Sequence, residues 1–144
     1  MTATVFVLNG PNLNLLGARE PEIYGSQTLG DIQGMVSDRG RELGLIIDFR
    51  QSNHEGDLVD WLHEAERERA KAVLLNAAAY THTSIALFDA IKAIEVPVIE
   101  VHLSDPTTRE AFRHHSYVAP GAVETVQGLG ANGYLIALEK AAAL

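Results

Sequence analysis

Residues 72–104 read AVLLNAAAYTHTSIALFDAIKAIEVPVIEVHLS, and this stretch decides the fold. Residues 72–75 (AVLL) are a short unbroken apolar run, the pattern of a strand covered on both faces. Thr83 or Ser84 can cap a helix that carries Leu87, Phe88, Ile91 and Ile94 at helical spacing. Residues 97–101 (PVIEV) read as a strand again. Strand, helix and strand joined by short connections make one unit of a parallel sheet.

The alternation extends in both directions. Upstream, residues 4–8 (TVFVL) read as a buried strand that stops at Asn9-Gly10-Pro11. Thr28 with Asp31 three residues on has N-cap spacing. Ile32, Met35, Val36 and Leu43 then recur helically until Gly44. Residues 45–49 (LIIDF) are strand-like. Ser52 with Glu55 has capping-box spacing, ahead of a helix with Leu58, Leu62 and Ala65 on one face. Downstream, Asp105-Pro106 has the form of an N-cap followed by proline at the first helical position, which predicts a short helix there. Residues 118–126 predict one or two short strands. Residues 131–143 predict a last helix with Leu135, Leu138 and Ala142 on one face. The order βαβαβαβα, with no repeat or linker, predicts one α/β domain over residues 1–144: a central parallel sheet with helices on both faces.

Composition excludes several function classes. The 144 residues include no cysteine, so a disulfide scaffold, a thiolate metal site and a cysteine nucleophile are all ruled out. The absence of cysteine also fits a reducing compartment, and a cytoplasmic location is expected. The formal charge is −8, and lysine occurs only at positions 71, 92 and 140. With no basic run, neither nucleic acid nor an anionic membrane is an expected partner. The N-terminus lacks the positive region and cleavage site of a signal peptide. No apolar stretch approaches the roughly 18 residues of a membrane span.

One connection is long. Between Leu8 and Thr28 the chain reads NGPNLNLLGAREPEIYGSQ, without periodicity. A loop of this length in a small domain is either functional or a mobile surface segment. It leaves the first strand at the end of the sheet where open α/β folds bind ligands.

The same end of the sheet collects polar residues. Asn9, Asn12, Asn14, Arg19 and Tyr24 follow the first strand, and Gln51, Asn53 and His54 the second. Asn76, Tyr80, Thr81 and His82 follow the third, and Glu100, His102, Leu103 and Ser104 end the fourth. Taken singly, such residues cap helices and turns more often than they do chemistry. Glu100 and His102 stand two apart on a strand and so share a face. A carboxylate there can fix the imidazole tautomer and support a proton donor, or the two can be a plain buried ion pair. The Asp105-Pro106 helix start leaves backbone N–H groups near Leu103 and Ser104 for an anion. Arg19, Arg109 and Arg113 could draw that anion in. Arg109 and Arg113 share a helical face if the helix runs that far, and either can equally belong to a solvated surface.

Two motifs do not carry what they suggest. Gly128-x-Gly130-x-x-Gly133 has the dinucleotide pattern, but too little chain follows it for a βαβ unit and its acidic residue. The glycines are expected to make a tight turn into the last helix. The six histidines include no H-E-x-x-H and no pair spaced for one helical face, so no metal is expected.

Six segments, in order along nearly the whole chain, resemble the type II 3-dehydroquinate dehydratases. They are NGPNLNLLG at 9–17, REPEIYG at 19–25, QSNHEG at 51–56, NAAAYTHTS at 76–84, EVHLS at 100–104 and REAFRHHSY at 109–117. The resemblance implies a flavodoxin-like three-layer fold and a homododecamer built as a tetramer of trimers. It also implies reversible dehydration of 3-dehydroquinate to 3-dehydroshikimate without metal or organic cofactor. The family's lid arginine falls on Arg19, its base on Tyr24 and its enolate-side asparagine on Asn12. The proton donor falls on His102 with Glu100 behind it. Substrate-binding positions fall on Asn76, His82, Leu103, Ser104 and Arg113. Asp89, otherwise a solvated helix position, matches a residue that reaches a neighbouring subunit's site. The lid is expected at about residues 18–27.

The chain departs from the family at two places. Asn76-Ala77-Ala78 stands where Asn-Pro-Gly or Asn-Ala-Gly is common, which is expected to alter the backbone beside the substrate. Ser104-Asp105-Pro106-Thr107-Thr108 stands where Ser-Asn-Ile-His-Ala is common, and predicts a stiffer helix start. Two other classes remain open on the residues alone: a flavodoxin-like module that binds a flavin or phosphate, and a non-catalytic receptor domain.

Overall fold

The strands pair in parallel in the order β2-β1-β3-β4-β5, where β1 is Ala3–Asn9, β2 Leu45–Gln51, β3 Ala72–Asn76, β4 Val98–Val101 and β5 Glu124–Val126. This order is the flavodoxin-like one. The computed structural model describes residues 2–18 and 20–144, and for Tyr24 the backbone only. The expectations placed on Arg19 and on the Tyr24 phenol therefore lie outside the described residues.

Alternation along β1, β3 and β4 divides the core into two layers. Val5, Val7, Leu74 and Ile99 join Ile32, Val36 and Leu138 on one face of the sheet. Phe6, Leu8, Val73 and Leu75 join Leu58, Leu62, Leu87 and Ile91 on the other. Truncating one of these fully buried leucines to alanine costs about 2–5 kcal/mol. The register sets Asn9 opposite both Gln51 and Asn76. The three strands thus finish level, and their polar residues share one rim. Gly10 allows the chain to leave β1 against that rim: a Cβ there would lie 2.5 Å from the Ala77 carbonyl oxygen.

Helices α2 (Leu29–Glu42) and α5 (Asn132–Ala142) cover the first face, and α3 (Glu55–Arg67) and α4 (Ile85–Ala93) the second. Thr28 and Asp31 form the expected capping box, and of the two candidates Ser84 caps α4. The expected cap at Ser52 is corrected. His54 occupies the N-cap of α3 without a side-chain bond, because the Ser52 hydroxyl accepts from the His54 N–H and donates to Asp57 at 2.6 Å. The stripe of α5 is also displaced: Tyr134, Ala137, Leu138 and Ala141 are buried, while Leu135 and Ala142 sit at its margin. Only Glu124–Val126 of the 118–126 segment is strand.

The long connection after β1 is partly ordered rather than featureless. A 3-10 turn at Leu13–Leu15 buries Leu13, and Leu16 is buried with it. Then comes a four-residue helix, α1 (Pro21–Tyr24), closed by the Gly25 N–H on the Pro21 carbonyl at 2.8 Å. Residues 25–28 are exposed. Among the described residues no helix is long and apolar enough to cross a membrane.

Candidate active site

A cavity of about 210 Å3 opens at the carboxyl ends of the strands. It lies where the strand order reverses between β1 and β3, the position at which such sheets take ligands. Seven of the expected residues line it: Asn12, Asn76, His82, His102, Leu103, Ser104 and Arg113. Glu100 sits behind His102, 2% exposed. Asp89 is exposed on α4 and is not part of this wall.

Among the described residues Glu100 and His102 form the most buried carboxylate–imidazole contact. His102 Nε2 donates to Glu100 Oε2 at 2.6 Å, which leaves Nδ1 as the second ring nitrogen. Two further hydroxyls hold the carboxylate: Ser116 on Oε2 at 2.7 Å and Thr125 on Oε1 at 2.8 Å. Ser116 Oγ already accepts from the Val118 and Ala119 N–H groups, so its own proton points to Glu100. Burial pushes the Glu100 carboxyl up, but the His102 contact and the two hydroxyls outweigh it and hold it below the ordinary glutamate value. The geometry is that of an imidazole backed by an ionised carboxylate, suited to donating a proton.

His82 stacks beside this pair, its ring 6.5 Å from that of His102 and tilted by 15°. His82 Nδ1 donates to the His115 carbonyl at 2.8 Å, which leaves Nε2 as an acceptor. Burial lowers its pKa, with His102 and Arg113 adding to the effect against the His115 carbonyl.

Asn12 has φ 69°, a left-handed backbone that asparagine tolerates better than most residues. Its N–H donates to Asn53 Oδ1 at 2.9 Å. Asn53 in turn receives Gln51 Nε2, and its carbonyl receives the Tyr80 hydroxyl. The polar residues after β2 thus brace the wall without lining the cavity.

The backbone expected to bind an anion is built differently from the expected helix. Asp105 caps only a three-residue 3-10 turn, Pro106–Thr108. A second such turn, Ala111–Arg113, follows after an extended Arg109. Arg109 and Arg113 therefore share no helical face, yet both reach the cavity wall. Gly130 N–H holds the Leu103 carbonyl at 2.9 Å, and Gly128 N–H holds the Ser104 carbonyl at 3.0 Å. In a trans peptide the N–H opposes the preceding carbonyl. The Ser104 and Asp105 N–H groups therefore point away from that turn. Gly128 and Gly130 have φ of 77° and 60°, so the GxGxxG pattern serves this turn, as expected. Beyond Leu103, Ser104 and Arg109 lies a wider hollow of about 700 Å3, whose other side includes Glu22, Ile23 and Gly25.

No cluster of three metal-ligating side chains occurs among the described residues. A family profile described as Dehydroquinase class II matches residues 3–142. The chain belongs to the class II dehydroquinase family. A 3-dehydroquinate dehydratase of Rhizobium johnstonii is 60% identical over 138 residues, 96% of this chain and 94% of that protein. One from Acidovorax ebreus is 57% identical over 143 residues, 96% of this chain and 97% of that one. The crystal structure of type II dehydroquinase from Propionibacterium acnes superposes with a TM-score of 0.95 at 44% identity, covering 100% of this chain and 99% of that one.

In this chain the departure at Ala77-Ala78 has a visible consequence. Ala78 lines the cavity with φ 52°, a left-handed conformation that glycine adopts at no cost and alanine does not. Residue-by-residue reading missed Ser116, Thr125 and Tyr134. The first two stand 16 and 25 residues from Glu100; the β4–β5 pairing sets Thr125 beside it, and Ser116 reaches it from the loop before β5.

Proposed function

We propose that this chain dehydrates 3-dehydroquinate reversibly to 3-dehydroshikimate, by anti elimination through an enolate, without metal or organic cofactor. The observation that carries the reading is the buried Glu100–His102 pair, 2.6 Å apart, on a small cavity that also has Asn76, His82 and Arg113 on its wall. The relatives' names supply the substrate.

The base is Tyr24. A free phenol has a pKa of about 10, so only about one molecule in a thousand is ionised at neutral pH. Lowering that value by about 3 units takes roughly 4 kcal/mol of preference for the phenolate. Burial alone works the other way, so cations must supply it. Arg19, in the same loop, is the first candidate and Arg113 the second. Closure of a lid at about residues 18–27 would bring the Arg19 guanidinium to the phenol as water leaves. The phenolate takes the proton beside the ketone. Asn12 orients a donor, its own amide or a water, where the enolate charge develops. His102, held by Glu100, protonates the departing tertiary hydroxyl, which leaves as water. Asn76, His82 and Arg113 hold ring hydroxyls, and the backbone N–H groups at Leu103–Ser104 take the carboxylate.

The working unit is a single catalytic domain over residues 1–144, in a cytoplasmic homododecamer arranged as a tetramer of trimers. The exposed carboxylate of Asp89 then completes a neighbour's site. The step serves the shikimate route to aromatic compounds or the breakdown of quinate. Incubation with 3-dehydroquinate tests the reading: the ultraviolet absorbance of a conjugated enone should rise. A folded protein that produces no such absorbance would remove this function.

A further inference from the structure

We infer that Tyr134, on α5 and remote in sequence from every proposed substrate contact, is a positioning residue that fixes which end of the Asn76 carboxamide serves the ligand. The inference rests on the proposed function, since it concerns how that site recognises its substrate.

The Tyr134 side chain is fully buried, with its hydroxyl between two asparagines at the ends of adjacent strands. It donates to Asn9 Oδ1 at 2.7 Å and accepts from Asn76 Nδ2 at 2.9 Å. The polarity of this chain is set independently at both ends. At one end Asn9 faces the Arg50 carbonyl at 2.9 Å, a group that only accepts. Asn9 must present Nδ2 there and Oδ1 to the phenol. The phenol has one proton, gives it to Oδ1, and can then only accept from Asn76. At the other end Asn76 faces the Ala78 N–H at 3.1 Å, a group that only donates. Asn76 must present Oδ1 there and Nδ2 to the phenol. Both ends give the same answer, so a flipped Asn76 amide would break two bonds, one buried and one part-buried.

The consequence reaches the cavity. Asn76 is 4% exposed and lines it. With one Nδ2 hydrogen on Tyr134, a single amide hydrogen remains. Asn76 is thereby a donor that recognises an acceptor oxygen, such as a ring hydroxyl lone pair. Without the phenol hydroxyl, only the Ala78 bond orients the amide, and Nδ2 loses its anchor.

Tyr134→Phe keeps the ring and removes the hydroxyl. The wild type is assayed first, because absent turnover of 3-dehydroquinate would remove the function itself. Given an active wild type, the variant should raise KM about tenfold with kcat within about threefold and unchanged pH limbs. Leu62→Val, in the opposite core layer, controls for lost stability and should leave KM in place. Should Tyr134→Phe fail to fold, Asn9→Ala carries the same test. It takes the phenol's acceptor, frees the phenol to donate to Asn76, and should raise KM likewise. A wild-type KM in the folded variant overturns the inference, and so does a fall in kcat with KM unmoved.

Discussion

Thr125 Oγ1 lies 2.8 Å from Glu100 Oε1, so a hydroxyl on the edge strand β5 donates to the carboxylate that orients His102. Removing it with Thr125→Val keeps the shape and takes one donor from a buried carboxylate. Glu100 has a pKa below its ordinary value in the fold. Its ionised form therefore contributes stability above the unfolded value of about 4.3, and that stability is lost as pH falls through the lower folded value. Thr125→Val should raise the folded value. The acid-unfolding midpoint should then move to higher pH, and kcat should fall about tenfold at neutral pH, measured by denaturation against pH beside steady-state kinetics. An acid midpoint and kcat matching the wild type would leave Thr125 as packing alone.

The reach of the sequence differs between these residues for a physical reason. Glu100 and His102 are legible because their spacing on a strand gives them one face. The strands are legible because β1, β3 and β4 are buried on both sides and read as apolar runs. Thr125 and Ser116 are not, since a hydroxyl in a loop or short strand has no period; the β4–β5 pairing chooses the partner of Thr125, and the fold of the loop before β5 chooses that of Ser116. Tyr134 reads as one apolar position of α5, and its bond to Asn9 spans 125 residues. Local competition explains the errors. Ser52 bonds Asp57 rather than capping, and the chain turns extended at Arg109 after one 3-10 turn.

Ala78→Gly should stabilise the protein slightly. A left-handed alanine costs about 1–2 kcal/mol. Glycine returns about 0.5–1 kcal/mol through the freer unfolded chain, and the lost methyl contact at this half-buried position takes a few tenths more. The net expected gain is about 0.5 kcal/mol, which is 1–2 °C in melting temperature at roughly this size. Ala78→Val should move it down by more, because a branched side chain tolerates φ 52° least. Calorimetry on the pair decides it, and a valine variant as stable as the wild type would contradict the strain.

His82 should report in the pH dependence of KM. Burial lowers the pKa of its imidazole, with the nearby His102 and Arg113 adding to the effect, against the opposing pull of the His115 carbonyl and Glu100. Because the folded value lies below the ordinary one of about 6.5, the neutral ring stabilises the fold above that pH and the effect is lost as pH falls through the folded value. KM should stay flat through pH 6.5 and rise only below it, as Nε2 gains a proton and stops accepting. His82→Asn should raise KM about tenfold, close to 1.4 kcal/mol, and abolish the inflection. An inflection that survives the substitution belongs to another group.

Tyr24→Phe and Arg19→Ala separate the proposed base from the cation proposed to activate it. The phenylalanine variant should lose turnover by about 10²–10⁴-fold, the usual range for a general base, while KM stays within a few-fold. Arg19→Ala leaves the phenol and removes only its nearest cation in sequence, so the acidic limb of kcat/KM should move to higher pH. Activity at alkaline pH should then recover toward the wild type, which a damaged fold would not allow. Arg109 and Arg113 still line the cavity, so the expected displacement is a part of the roughly 3 units and not the whole. If the two limbs coincide instead, the remaining arginines carry the phenolate, and closure of the loop serves only to exclude water.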